Sequence, residues 1–445
     1  MTRPFREQSP LISTARLHRR QLLQAGMAFG ALGALSLPLL ALADTPTGQV
    51  AGVLKIGAIG PFSGPAAQTG RAMQQGIQMA LDDARADGEL PVTLDGQPVE
   101  IEIVWIDSRS DPQVAVAGLT RAIQQQGVQM MFGGWHSEVG LALMEAEVPW
   151  QILHFGHLAE TPQIANRLNQ QPERYRGWFK CWPSPTHISA LYGEPLQYFR
   201  QQGLWRPANN RAAVMTEDTA FGRDWGEALQ ASLSEAGLET FPYDLTELTQ
   251  TNFSQLLDKY QAMEVSLVAF TNTGNLATAE FVKQFRQRGI KALLIAHGIR
   301  WFKDWYKLTG PASDYLISLD SVPIALWQQW WVRRFKRRFR EDPTIAAAGL
   351  QYDYARMMVR LLNAAGTLEL DTLIRTLRRM SYKGVWNHYK FASEPGPRAR
   401  SANEVMTGPF MEGFSFPLVQ LFQGKARVIW PRKYAEQAFR QPPWL

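Results

Sequence analysis

Short apolar runs, each followed by an amphipathic helical stretch, recur along most of this chain, and that alternation limits its fold more than any other feature. Val53–Ile59 is the first run. In the stretch after it, Met73, Ile77, Ala80, Leu81 and Ala84 recur at three-to-four spacing, which predicts one buried helical face. "VEIEIVWI" (Val99–Ile106) begins by alternating and then turns wholly apolar. In "SDPQVAVAGLTRAIQQQG", Asp111 can cap a helix, Pro112 suits its first turn and Gly127 ends it. Further strands are expected at Val128–Phe132, Gln151–Phe155, Ala212–Thr216, Leu267–Phe270 and Leu293–Ala296. Further helices are expected at Glu138–Glu147, Gly222–Ala236, Phe253–Ala262 and Asn275–Arg288. Strand–helix alternation predicts parallel sheets covered on both faces. The units are too many for one compact sheet, so the expected class is α/β, with two doubly wound parallel-sheet lobes. "WFKCWPSPTH" (Trp178–His187) breaks the rhythm and is a candidate crossover. After Lys383 the chain changes to strand-like pieces rich in Gly and Pro, with the loop "SEPGPRARSANE".

A length of 445 residues suits two or three domains, and 45% hydrophobic with 19% charged residues suits a large core. The first 43 residues stand apart. Arg19-Arg20 precede "LLQAGMAFGALGALSLPLLALA", which ends in Ala41-Leu42-Ala43. A basic segment, an apolar segment and a small-residue exit read as an export signal cleaved after Ala43. "HRRQLLQ" resembles the twin-arginine type, which passes folded proteins. This segment holds five Arg and one Glu, a net +4 of the chain's +6, so about +2 remains beyond it. The basic balance therefore gives no argument for nucleic acid. Cys181 is the single cysteine, which excludes an internal disulfide and a thiolate zinc cluster.

"IGAIGPFSGPAAQTGRAMQQGIQMALDDA" (Ile56–Ala84) joins a strand to a helix through a Gly-, Pro- and Ser-rich turn, an order that often cradles phosphate. The spacing argues otherwise. No Lys follows Gly64 or Gly70 as a P-loop requires, and Gly57, Gly60 and Gly64 do not fit G-x-G-x-x-G. What remains is a turn with free N–H groups and the hydroxyls of Ser63 and Thr69, suited to a small polar group.

This opening resembles that of the branched-chain amino-acid binding proteins of ABC importers, the type I periplasmic binding proteins. The likeness continues through "IDSRSDPQVAVAGLTRAIQQQGVQMMFGG", "AAVMTEDTAFGRDWGEALQASLSEAGLE" and "NFSQLLDKYQAMEVSLVAFTNTGN", and again in "FKRRFREDPTIAAAGLQYDYARMMVRLLNAAG". The resemblance implies two lobes joined by three crossovers, near Trp178–Pro183, Asp320–Pro323 and Ser381–Trp386. One lobe would comprise 52–180 and 322–383, the other 184–320 and 387–430. The ligand would sit between them, at the carboxyl ends of the strands.

The same resemblance assigns candidate contacts. Ser63 and Thr69 lie on the first loop, Thr69 where relatives often carry an aromatic wall. In "GGWHSEVG", Ser137 takes the place of the hydroxyl that meets a ligand carboxylate, flanked by Trp135 and His136. In "FGHLAETP", Leu158, Ala159 and Glu160 bring backbone groups, with Glu160 where a Thr is common. On the other lobe Phe221 stands for a stacking Tyr, and Thr273 and Asn275 form a polar loop. His297 stands where amino-acid binders carry a Glu for the ammonium, with Arg300 and Trp301 close behind. Trp135, Trp182 and Phe221 are candidates for an aromatic cage around a cation.

Other readings compete. His136, Glu138, His154 and His157 fall near strand ends and raise a metal-dependent enzyme, but the P-C-x-x-C partner of the zinc deaminases is absent. There is no G-x-S-x-G elbow for nucleophilic catalysis. "WQQWWVRRFKRRFRED" (Trp327–Asp342) mixes aromatic and basic residues. Its Trp327, Trp331, Phe335 and Phe339 share a helical stripe, while Arg333, Lys336, Arg337 and Arg340 lie off it, which predicts a packed helix with a solvated basic face. A ligand sensor for a signalling partner is a third reading. The expectation taken forward is a periplasmic, monomeric solute-binding protein serving an ABC permease. It would need no cofactor, metal or nucleic acid and carry out no chemistry.

Overall fold

The computed structural model describes residues 52–64, 66–301, 305–344, 347–410 and 412–445. The expected export segment and its cleavage point after Ala43 lie outside them. Among the described residues no helix is long and apolar enough to cross a membrane.

Strand–helix alternation builds two sheets. The first takes β1 (Gly52–Gly60), β2 (Val92–Leu94), β3 (Gln97–Asp107), β4 (Met130–Gly133), β5 (Leu153–Gly156) and β6 (Trp178–Lys180). Its helices are α1 (Ala67–Ala86), α2 (Pro112–Gln126), α3 (Ser137–Ala146) and α4 (Pro162–Gln170). The strand order is β2-β3-β1-β4-β5-β6, parallel except for the β2–β3 pair. Helix α2 is bounded as its sequence predicts. The Asp111 side chain accepts the N–H groups of Gln113 and Val114, and Gly127 closes the helix at φ +75°.

The chain then passes through α5 (Pro185–Ser189) and α6 (Gly193–Gln201) into the second sheet. This holds β7 (Arg211–Glu217), β8 (Glu239–Thr240), β9 (Asp244–Thr246), β10 (Leu267–Thr271), β11 (Leu293–His297) and β12 (Ile317–Leu319). Interleaved are α7 (Ala220–Glu235), α8 (Ser254–Ala262), α9 (Asn275–Gln287) and α10 (Trp305–Thr309). After β12 the chain forms α11 (Leu326–Phe339), α12 (Ala348–Ala365) and α13 (Leu370–Arg379). A hairpin of β13 (Tyr382–Lys383) and β14 (His388–Tyr389) follows, and then β15 (Leu418–Phe422) and β16 (Lys425–Trp430). The last two strands join the second sheet antiparallel, giving the order β16-β15-β12-β11-β10-β7-β8 with β9 also on β7.

Helix α12 returns to pack on α1. Gly76 makes the approach possible, because a Cβ there would lie 2.1 Å from the Ala348 carbonyl oxygen. The stripe expected on α11 holds in part. Trp331 and Phe335 are buried, but Trp327 is 43% exposed and stacks on Phe410 at 6.1 Å. The basic face is solvated as expected, with Arg333, Lys336, Arg337 and Arg340 all exposed, while Arg334 and Arg338, outside that expectation, reach Asp83 and Asp82 on α1.

Asp353 of α12 anchors the turn between β13 and β14. Its carboxylate accepts the N–H groups of Val385, Trp386 and Asn387 and the Tyr389 hydroxyl. The long segment before β15 runs along β6: Lys180 N–H donates to Asn403, and Val405 N–H to Lys180. One apolar cluster extends from the first sheet through Cys181, Trp182, Phe414 and Phe416 to the inner face of the second.

Candidate functional site

Each sheet has a place where the strand order reverses, and loops at the carboxyl ends of the strands there form a natural crevice. In the first sheet this lies between β1 and β4, and in the second between β7 and β10. The expected contacts all fall in, or within a turn of, the loops that follow β1, β4, β5, β7, β10 and β11.

On the first loop the Ser63 hydroxyl donates to Asp107 Oδ2 at 2.5 Å and its N–H to Oδ1 at 3.1 Å. Burial alone would raise the Asp107 pKa, but these bonds and those from Arg109 and Phe62 hold it below the usual value. Ser63 therefore braces the loop against the end of β3. Thr69 is half-buried in the first turn of α1.

After β4, Gly133 at φ +118° lets the chain pass against β1; a Cβ there would lie 2.0 Å from Ile59 O. Trp135 then packs beside His157, with ring centroids 5.6 Å apart. His136 precedes α3 without capping it, and its Nδ1 is buried without a hydrogen bond. Burial lowers its pKa, opposed by Glu138. Ser137 opens α3.

After β5, Leu158 and Ala159 both adopt the left-handed region, at φ +52° and +48°. Non-glycine residues there cost about 1–3 kcal/mol each and persist only where surroundings impose them. The result is that Glu160, 4% exposed, is turned towards the second sheet. Its Oε2 accepts the Trp225 Nε1–H at 2.6 Å, and its Oε1 lies 3.7 Å from His297 Nε2. Trp225 and His297 stack at 4.2 Å and 22°, and Phe221 packs at 6.4 Å from Trp225. His297 Nδ1 lies 3.0 Å from the Leu319 carbonyl. A carbonyl only accepts, so Nδ1 carries a proton.

The structure thus gathers Glu160, Phe221 and His297 with Trp225, and puts Trp135 beside His157. It does not bring Ser63 or Thr273 into that group. Thr273 is exposed, and both its N–H and its hydroxyl donate to Glu217, at 2.5 and 2.7 Å. Asn275 is exposed at the start of α9. Trp182 is buried edge-on against Phe414 and Phe416. Trp225 escaped the sequence reading although it lies one turn beyond Phe221 on the same helix face. Asp224, Asp320 and Glu404 also went unnoticed; Asp320 sits inside an expected crossover.

Two of the three histidines suspected of binding metal have other partners. His154 Nδ1 lies 2.6 Å from Glu147 Oε1, with its ring on Trp178, and His157 Nδ1 lies 3.5 Å from the Tyr354 hydroxyl. Among the described residues no group of three or more His, Cys, Asp or Glu is placed to hold a metal ion. Burial raises the Cys181 thiol well above its usual pKa, leaving it an unreactive core residue.

A cleft of about 520 Å³ opens between Gln68, Ala72 and Gln75 of α1, the residues Ile299, Arg300, Trp305, Tyr306, Lys307 and Ser313, residues 341–344 and the β15–β16 hairpin. Arg300 lines it, and the charge of Arg300 also acts on buried Asp320.

Residues 53–405 match the family model described as periplasmic binding protein. Leu/Ile/Val-binding protein homolog 6 of Brucella suis biovar 1 (strain 1330) is 25% identical over 247 residues. That match covers 54% of this chain and 56% of the relative, little more than half of each. Among solved structures, a putative branched-chain amino acid ABC transporter protein from Silicibacter pomeroyi superposes with a TM-score of 0.79 at 19% identity. It covers 88% of this chain and all of its own. An ABC transporter solute binding protein from R. palustris, in complex with benzoate, gives a TM-score of 0.62 at 19% identity, over 85% of this chain and 95% of its own. At such identities the superpositions speak for the fold, a type I periplasmic binding protein architecture of two α/β lobes. The family match covers most of the chain: it belongs to the periplasmic binding protein family.

Proposed function

We propose that this protein is exported to the periplasm, losing its signal after Ala43, and captures a small polar solute for an ABC permease. The lobes would be 52–180 with 322–383 and 184–320 with 387–430. The solute contributes contacts to both only when they shut, so it stabilises the closed form. No bond is made or broken, and the protein works as a monomer.

The observation that carries this reading is the contact of Glu160, on a loop of the first sheet, with Trp225 and His297 of the second. Side chains from the carboxyl ends of the two sheets meet in one buried place, where a closing cleft grips its guest. The Brucella relative is named for Leu, Ile and Val, and the R. palustris protein holds benzoate. Amino acids, related amides and aromatic acids are therefore the first solutes to try. Ser63, Thr69, Trp135, His136, Ser137, the Leu158–Glu160 backbone, Phe221, Thr273, Asn275 and His297 are the proposed contacts.

A thermal-shift screen over those solutes, followed by calorimetry, tests the reading. A ligand at 100 times its dissociation constant adds about 2.7 kcal/mol of stability. Ser137→Ala is expected to weaken binding by about 1 kcal/mol, the worth of a buried hydrogen bond. Unchanged affinity would remove Ser137 from the site, and a screen in which no small solute binds would reject the function.

A further inference from the structure

The buried contact between the sheets is short of positive charge. Its acids are Glu160, Asp224, Asp320 and Glu404, and its bases are Lys180, His187, His297 and, at the edge, Arg300. Two of the bases are already engaged. Glu404 is held by Lys180 at 3.8 Å and His187 at 3.5 Å, and Lys180 also donates to the Trp182 carbonyl at 2.6 Å. The Lys180 charge also reaches Glu160 and Asp224, so one ammonium shared with Glu404, one imidazole and the exposed Arg300 side chain face three further acids, Glu160, Asp224 and Asp320.

The unfilled acceptors point the same way. Asp320 is 1% exposed. The Ser318 hydroxyl and Arg300 N–H lie near it, but neither carboxylate oxygen completes a hydrogen bond of ordinary geometry. Glu160 Oε1 is buried in the same condition, with His297 too distant for a bond. Buried carboxylate oxygens left without donors are costly. His297 lies between the two acids: one edge faces Glu160, the other meets the Leu319 carbonyl beside Asp320. Aromatic faces surround it, with Trp225 stacked at 4.2 Å and Phe416 at 6.3 Å, itself backed by Trp182. Donor-rich positive charge with an apolar body is what such a place lacks.

We propose that the solute taken between the lobes is an organic cation, bearing an ammonium or guanidinium group that seats between Glu160 and Asp320 beside His297. This rests on the solute-binding reading above. The cation displaces the Glu160–His297 contact as the lobes close around it.

The test is calorimetry on the purified protein with choline, agmatine, leucine, benzoate and 3,3-dimethylbutan-1-ol, the neutral isostere of choline. Choline or agmatine is expected to bind, the neutral isostere at least tenfold more weakly. Glu160→Gln keeps an acceptor for the Trp225 N–H and is expected to lose at least tenfold in cation affinity, as is Asp320→Asn. Melting curves verify that each variant folds; if Asp320→Asn does not, Glu160→Gln carries the test. Leucine or benzoate binding without either cation overturns this inference and leaves the solute-binding reading standing. Cation affinity unchanged in a folded Glu160→Gln overturns the seat. Failure of all five probes overturns the inference, and the wider solute screen then decides the function separately.

Discussion

Glu404 is a buried acid that accepts four hydrogen bonds beside the first crossover. Its oxygens accept the N–H and hydroxyl of Ser184 and of Ser401, with Lys180 and His187 alongside. Burial would raise its pKa, but Lys180, His187 and the Ser401 N–H bring it down to about 2 from 4.5. A lowered carboxyl stabilises the fold above its unfolded pKa and loses that contribution as pH falls through the folded one. The shift corresponds to about 3 kcal/mol, present above pH 4.5 and lost towards pH 2. The net worth of the pair is smaller, because burial lowers the Lys180 pKa. Glu404→Gln would leave Lys180 buried without its counter-ion, and is expected to destabilise the protein by about 3–5 kcal/mol at pH 7. Urea unfolding from pH 7 to pH 2 measures both effects. The variant should show a flatter decline below pH 4.5 than the wild type. Nothing in the sequence signalled this residue: it lies in the irregular tail, where no periodicity marks a buried side chain. Glu160 was legible because it interrupts a familiar loop, whereas its partner Trp225 reads as one more apolar residue on a helix.

Helices and strands were far more legible than their partners. Helix α2 carries its limits in Asp111, Pro112 and Gly127, because capping is local chemistry. Asp111→Ala removes two backbone bonds, of 2.8 and 2.9 Å, and is expected to cost about 1 kcal/mol in denaturant unfolding. Close packing between distant elements is different. Gly76 is unremarkable in the sequence, yet it lies against the Ala348 carbonyl where α1 meets α12. Gly76→Ala should gain intrinsic helix propensity and still destabilise by about 1–3 kcal/mol, through overpacking. A higher melting temperature in that variant would show that the two helices can move apart freely. Helix α11 makes the same point: its pattern placed Trp331 and Phe335 inside, but the pairing of Arg334 and Arg338 with α1 depends on a neighbour more than 200 residues away.

At the scale of the whole molecule, alternation foretold two parallel sheets, since each strand–helix unit must bury both faces of its strand. It did not foretell that the sheets would share one apolar cluster through Trp182, Phe414 and Phe416. That continuity comes from the segment before β15, whose course along β6 is set by backbone bonds rather than by pattern. A shared core at the crossovers and a polar meeting point at Glu160 and His297 suit two bodies that hinge on one edge and shut at the other. On the proposed function, Glu160→Ala removes a contact that holds the lobes together, so the unliganded protein should populate more open forms. Small-angle X-ray scattering of the protein with and without saturating solute tests this most directly. The account predicts that one molecule of solute binds per chain and that the radius of gyration falls on binding, from a larger starting value in Glu160→Ala. Stoichiometric binding with an unchanged radius in both proteins would contradict it.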